Sequence, residues 1–351
     1  MNAPRPRPLT IALDAMGGDF APEATVEAAA RISRETTIQL ILAGDRPQLR
    51  ALIERFDHDR SRIDFAHADE VVQMDERPRD ALKKKNRASV VVASELVANG
   101  DADGLVSAGS TGALILSAAD RVPRIPGVKR AALAAVYPTH ERGLSNDRFS
   151  LMLDVGATVR CGAEELLHFA YMGHAYASRI SKVPYPSIGL LNVGEEETKG
   201  DAILNEAHRL LSQDRRLNFI GNVEGTDIPR GIADVIVCEG LLGNVVLKMA
   251  EGMGEVFGRL GAWAYKRSLV WKAGFWLLSG GLQQLKELTD YREYGGAPLL
   301  GFRRIVIKAH GRSHARAVAN AIKVAAKAVR DGVCEEIEAS VLDFEGARGE
   351  R

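Results

Sequence analysis

Short β-branched runs in this chain lead repeatedly into a glycine-rich corner and then a helical segment, first at Ile11–Leu13 followed by Asp14-Ala15-Met16-Gly17-Gly18-Asp19. The step recurs at Ser107-Ala108-Gly109-Ser110-Thr111-Gly112, Asp154-Val155-Gly156-Ala157, Asn192-Val193-Gly194-Glu195, Glu239-Gly240-Leu241-Leu242-Gly243-Asn244 and His310-Gly311-Arg312-Ser313. Strand, tight turn and helix make the unit of a parallel α/β sheet, which holds its ligands in the crevice beyond the strand carboxyl ends. A helix opening there turns unpaired N–H groups and a positive dipole end toward the guest, so an anion, phosphate above all, fits best. Asp14, Gly17, Gly18, Ser110, Thr111 and Gly112 are therefore candidate phosphate- or substrate-binding residues.

The strand candidates are Leu9–Leu13, Ile38–Ala43, Gly104–Ser107, Ala131–Tyr137, Leu151–Val155, Ser187–Val193, Leu217–Ile220, Val235–Cys238 and Ile305–Ala309. They are apolar throughout instead of alternating, as expected where helices cover both faces of a parallel sheet. The fold class that follows is α/β, a Rossmann-like three-layer α/β/α sandwich. Ser313 is placed to cap a helix in which Ala315, Val318, Ala319, Ile322, Ala326 and Val329 recur at helical spacing.

A chain of 351 residues exceeds the usual single domain, yet no linker interrupts residues 9–332. The expected organisation is a flexible tail over 1–8, one interlocked catalytic domain over 9–334 and a loose acidic tail over 335–351. With 46 basic and 46 acidic residues, dispersed, there is no nucleic-acid footprint. The 3 cysteines, Cys161, Cys238 and Cys334, are too scattered for a disulfide frame or a zinc site. No apolar run approaches the about 20 residues that span a bilayer, and no secretory leader is visible, so a reduced, cytoplasmic setting is expected.

The order and wording of the corners closely resemble one family, the bacterial phosphate acyltransferases of phospholipid synthesis (PlsX family). The resemblance spans nearly the whole chain and rests on Ala12–Asp19 with Pro22, Val106–Leu114, Met152–Ala157, Gly189–Glu197 with Lys199-Gly200, Gly221–Gly225 and Tyr294–Gly301. Ser110 and Thr158 stand where that family commonly has asparagine, and Glu239–Asn244 replaces a more usual Asp-Gly-Phe-Thr-Gly-Asn. The resemblance implies transfer of a long fatty acyl group from acyl carrier protein to inorganic phosphate. The acyl phosphate would then feed an integral-membrane glycerol-3-phosphate acyltransferase. It also implies a homodimer and a fold like that of isopropylmalate dehydrogenases and phosphotransacetylases.

Phosphate attack on a thioester needs a desolvated dianion, a stabilised oxyanion and a departing thiolate, but no protein nucleophile. Lys199, in the Gly194–Gly200 loop, is either a solvated lysine paired with Glu195–Glu197 or the cation for phosphate or oxyanion, and the resemblance favours the second. Asn244 falls where the Gly240–Gly243 turn opens a helix at Val245, so its amide either caps that helix or donates to carbonyl or phosphate, and both can hold. Lys199 and Asn244 are thus the catalytic candidates. Lys248 adds charge one turn on or lies on the surface. His310 protonates the leaving thiolate or is a structural loop histidine. Asp14 and Asp19 suit orienting amides or the Thr111 hydroxyl, while Cys238 reads as an inert buried thiol. Asp14, Asp19 and Asp154 lack metal-ligand spacing, so neither metal nor redox or nucleotide cofactor is expected.

Two surfaces suit partners. Arg79, Lys83 and Arg87, at four-residue spacing in a helix over Pro78–Val92, form either an ordinary solvated face or a docking stripe for an acidic carrier protein. All 3 tryptophans cluster at Trp263, Trp271 and Trp276 beside Lys266, Arg267 and Lys272. An amphipathic hairpin over 258–285 is expected, with Trp271, Phe275, Trp276 and Leu277 touching the inner face of the cell membrane or closing a dimer. The rivals are a β-decarboxylating dehydrogenase, which lacks its G-x-G-x-x-G corner here, a coenzyme A phosphotransacetylase, which needs no aromatic hairpin, and a membrane scaffold, which needs no Gly-Lys or Gly-Asn corner.

Overall fold

Thr10–Asp14 forms β1, buried along its whole length, because Ile11 and Leu13 pack into the helical layer on one face while Ala12 packs into the layer on the other. The computed structural model describes residues 8–139, 149–281 and 295–349. The remaining strands are β2 (Gln39–Gly44), β3 (Ile63–His67), β4 (Gly104–Ser107), β5 (Ala132–Pro138), β6 (Phe149–Leu153), β7 (Ser187–Leu191), β8 (Asn218–Val223), β9 (Val235–Val237), β10 (Ala297–Leu300) and β11 (Ile305–Lys308). The helices are α1 (Glu23–Glu35), α2 (Arg46–Ile53), α3 (Pro78–Lys84), α4 (Ser89–Ala98), α5 (Thr111–Arg121), α6 (Ala163–Tyr176), α7 (Ala202–Gln213), α8 (Gly240–Arg267), α9 (Leu269–Leu277), α10 (Ala315–Arg330) and α11 (Val333–Gly349).

Among the described residues the strands make one 11-stranded sheet in the order β3-β2-β1-β4-β11-β10-β5-β6-β9-β7-β8, with apolar layers on both faces. The α/β/α sandwich is as expected, but the sheet is mixed. β5 pairs antiparallel with both β10 and β6, and β10 antiparallel with β11. The half containing β1, β4 and β11 therefore runs opposite to the half containing β6, β9 and β7. The Asp14, Ser107 and Lys308 corners share one edge, and those after β6, β7 and β9 share the other. Sequence alone treated all of them as one edge.

The ladder between β5 and β10 consists of Leu133↔Leu299 and Ala132↔Leu300 among the described residues, after which the two strands diverge. This split between the halves is what creates room for a site. β3 and β10 escaped the sequence reading because β3 is half-buried with an interrupted pattern, and β10 is four residues containing Pro298 just after Gly295-Gly296.

Three boundaries differ from expectation. The stretch 335–351 is not a loose tail as far as it is described: α11 buries Ile337 and Val341, and Arg303 pairs with Glu338 at 2.6 Å. The helix after β11 begins at Ala315 with His314, not Ser313, at its cap, because the Ser313 N–H closes a turn on the His310 carbonyl and Phe20 stacks on His314. The basic helix over Pro78–Val92 is broken. α3 stops at Lys84 as Lys85 bonds the Val71 carbonyl and Glu76, and Arg87 lies in the following turn with its guanidinium 2.7 Å from Asp69. Of the 258–285 hairpin, 282–285 lie outside the described residues. α8 and α9 make the hairpin as far as Leu277, held by edge-on Trp263–Trp271 and Tyr265–Phe275 ring pairs at 6.5 and 6.1 Å.

Candidate active site

A cavity of about 490 Å³ occupies the split in the sheet. Leu133, Ala135 and Val136 of β5 wall one side, Ala297 and Lys308 of the β10–β11 pair the other, and corners of both halves close it. From the first half come Thr111, which opens α5, and the loop Ala309–Ser313. Val155 and Gly156 come from the second, with Asn244, Leu247, Lys248 and Glu251, whose three- and four-residue spacing presents one side of α8.

α8 begins at Gly240, one turn earlier than the sequence reading, so Asn244 lies inside the helix and is not its cap. The cap comes from another segment: Thr158 Oγ1 accepts the Gly240 N–H at 3.2 Å. Early helix formation depends on glycine, since a Cβ on Gly240 would fall 2.3 Å from the Thr158 carbonyl oxygen, and one on Gly243 1.9 Å from that of Asp154. Asp154, wholly buried, shapes that wall by accepting the N–H groups of Leu133, Gly156, Ala157 and Thr158 at 2.7–3.0 Å. The Asn244 amide, released from capping, sits against Gly156. Cys238 donates its S–H to the Asp154 carbonyl at 3.2 Å, and burial pushes its thiol far above the usual range, so it is no nucleophile.

Sequence reasoning missed Lys308. It ends β11 with 8% of its surface exposed, donates to the Ala108 carbonyl at 3.4 Å and to that of Ala309, and lines the cavity. Burial pulls its ammonium down to about 8, with Lys248 acting the same way and Asp14 and Asp19 opposing. An ammonium has three donors, so two carbonyls leave one for a guest. A lysine closing an apolar strand could have been noticed as a cost that calls for a function. His310 Nδ1 accepts the Arg312 N–H at 3.1 Å, which places the proton of the neutral ring on Nε2. Lys248 Nζ is 2.7 Å from Glu251.

The structure thus gathers Thr111, Asn244, Lys248 and His310 around one cavity, and Asp14, Gly17 and Ser110 around a separate space of about 10 Å³ behind it. Asp14 accepts from Ser107 Oγ at 2.6 Å, and its other oxygen is buried without a hydrogen bond. Burial raises its pKa, opposed chiefly by the Ser107 hydroxyl. Gly17 packs on Gly109, and Gly112 on Pro78, where a Cβ would come within 2.7 Å of Cγ; Gly18 needs its positive φ of 116°. These glycines serve close packing and a turn, and neither Gly18 nor Gly112 lines the cavity. Lys199 stands in the loop after β7, half exposed, its Nζ 3.7 Å from Glu196, and it too lies outside the cavity wall. Among the described residues no cluster of His, Cys, Asp and Glu is arranged to hold a metal ion.

The profile of a family described as fatty acid synthesis protein matches residues 9–336. A phosphate acyltransferase of Dictyoglomus thermophilum is 42% identical over 92% of this chain and 94% of its own length. One of Desulfitobacterium hafniense is 43% identical over 97% and 100%. A phosphotransacetylase structure from Streptococcus pyogenes, 17% identical, superposes with a TM-score of 0.65 over 93% of this chain and 95% of that one, a likeness of fold.

Proposed function

The chain belongs to the phosphate acyltransferases of that fatty acid synthesis family, and from this premise we propose that it moves a long-chain fatty acyl group from the thioester of acyl carrier protein to inorganic phosphate, forming acyl phosphate. The observation that carries the reading is the two-sided cavity: Lys308, Lys248 and the first turn of α5 suit a phosphate, while Leu133, Val136, Val155 and Leu247 suit an alkyl chain. A phosphate oxygen attacks the thioester carbon. The carbonyl oxygen gains charge against the Asn244 amide, and the C–S bond breaks with the electron pair leaving on sulfur. The sulfur departs as thiolate, and His310, whose neutral ring carries its proton on Nε2, is placed to steady it with a hydrogen bond.

The assay is phosphate-dependent release of carrier thiol from palmitoyl-acyl carrier protein, with the product trapped by hydroxylamine. Asn244→Ala is expected to lower kcat about a hundredfold with the KM for phosphate little changed, as for loss of one oxyanion donor. Intact thioester after incubation of the wild-type protein with phosphate would falsify the reading. Lys199 remains a proposed contact. Its exposed ion pair with Glu196 holds it weakly and leaves it available to a donor approaching over β7.

Exposed Arg79 and Lys83 on α3, joined by Arg87 beyond its end, form the proposed carrier dock, since α3 packs on α5 at the cavity mouth. Arg79→Glu with Lys83→Glu is expected to raise the KM for the carrier about tenfold at low salt and leave that for phosphate unchanged. Equal KM values in both proteins at low salt would remove the dock. On α8, Val245, Met249, Met253, Val256, Leu260 and Trp263 form an exposed stripe at three- and four-residue spacing, which supports a homodimer seam. Trp271, Trp276 and Leu277 are exposed on α9, and Phe275 is partly so. With Lys272 beside them they suit peripheral contact with an anionic bilayer, where acyl phosphate would reach a membrane glycerol-3-phosphate acyltransferase. Among the described residues no helix is long and apolar enough to cross a membrane.

A further inference from the structure

A second cavity, about 180 Å³, lies beyond the first, and Val136 lines both. Its walls are mainly apolar: Phe149 and Leu151 of β6, Tyr176, Ile180 and Val183 where α6 ends, and Val324 of α10. Val324 belongs with the apolar layer opposite the one that holds Leu133, Ala135 and Leu247. The two cavities therefore approach the sheet from opposite faces and meet at β5, where β10 has diverged and no ladder closes the way among the described residues. The carboxylate at the rim, Asp234, already accepts the Ser187 N–H at 2.7 Å. Ala177–Ser181 is a π-helical turn, an arrangement frequent at functional sites, and here it supplies Ala177, Ile180 and Ser181 to the wall.

We propose that the aliphatic tail of the acyl donor passes through the split in the sheet beside Val136 and ends in this second cavity, which sets the chain length the protein prefers. The proposal rests on the acyl-transfer reading of the first cavity. The volume is about six times water's share of roughly 30 Å³, and a methylene is of similar size, so several terminal carbons fit. Burying each one favours binding by up to about fourfold.

The test compares octanoyl and palmitoyl carrier protein as donors with the wild-type protein, Ile180→Trp and Val324→Trp. Filling the cavity should lower kcat/KM for the palmitoyl donor about tenfold or more and keep the octanoyl value within about twofold. No change for either donor, or an equal fall for both in a protein with wild-type Tm, overturns the proposal. If a variant fails to fold, a palmitoyl donor with a terminal diazirine, photolysed on wild-type protein, decides. Label in the peptide spanning Tyr176–Val183 supports the path, and label confined to the exposed face of α8 and α9 refutes it. If wild-type protein turns over no donor, the acyl-transfer reading has failed, and the crosslink still shows separately whether the cavity holds a tail.

Discussion

Replacing Lys308 with methionine is expected to lower phosphate-dependent turnover about a thousandfold while the protein stays folded. Lys308 is nine-tenths buried at the end of β11 and lines the cavity wall. Two backbone carbonyls hold it, so it reaches phosphate without having to be ordered first. Methionine keeps the length and apolar stem of the side chain and removes the charge together with the donors to the Ala108 and Ala309 carbonyls. The loss should appear as failure to saturate with phosphate.

The sign of the pH effects follows from the same burial. The folded state holds the Lys308 proton less tightly than the unfolded chain, with a pKa of about 8 against 10.5. The group therefore lowers stability most below pH 8, and that cost is relieved as pH rises from about 8 towards the unfolded value. Lys308→Met should leave Tm at pH 7 close to that of the wild type, because relief of the buried charge is offset by the two carbonyls left without a donor. In the wild-type protein, phosphate affinity should weaken as pH rises through 8, about fivefold between pH 8 and 9, because deprotonation removes the charge that holds the anion. Calorimetry at pH 7 and phosphate titrations at several pH values check both. Activity within threefold of wild type, or a flat phosphate KM above pH 8, would show that Lys308 is structural.

How much of this was legible in the sequence depends on the range of the interaction. The apolar strand runs and glycine corners are local, so most strands and the layered architecture could be read directly. Asn244, Thr111, Lys248 and His310 were legible because each lies in a corner or one turn after it, and these corners reach the split. Strand direction is not local: the reversal around β10, β5 and β6 depends on which edges pair, and this separates the Lys199 loop from the His310 loop. Lys308 was missed for the same reason, since its burial comes from β4 and β10 on either side. Gly112 misled because a glycine that admits Pro78 reads in sequence like one that admits phosphate.

Gly243→Ala should lower activity about a hundredfold or more, although glycine-to-alanine inside a helix usually stabilises by about 1 kcal/mol. A Cβ at this position would fall 1.9 Å from the Asp154 carbonyl oxygen and 2.9 Å from Cys238 Sγ. The backbone at Asp154 cannot yield easily, because its side chain fixes the Leu133, Gly156, Ala157 and Thr158 amides that shape the cavity wall. α8 must move instead, by about 1 Å or more, carrying Asn244, Leu247 and Lys248 with it. A displacement of that size away from the reacting atoms costs about a hundredfold in rate by itself, and the overpacking costs about 1–3 kcal/mol of stability. Gly254, on the same helix with nothing near its Cβ position and on the side away from Val245 and Val256, is the control, and alanine there should leave activity unchanged and raise Tm slightly. Turnover and thermal unfolding of the two variants side by side test the argument. If Gly243→Ala matches Gly254→Ala in both, the close contact between α8 and the Asp154 loop is not what positions Asn244.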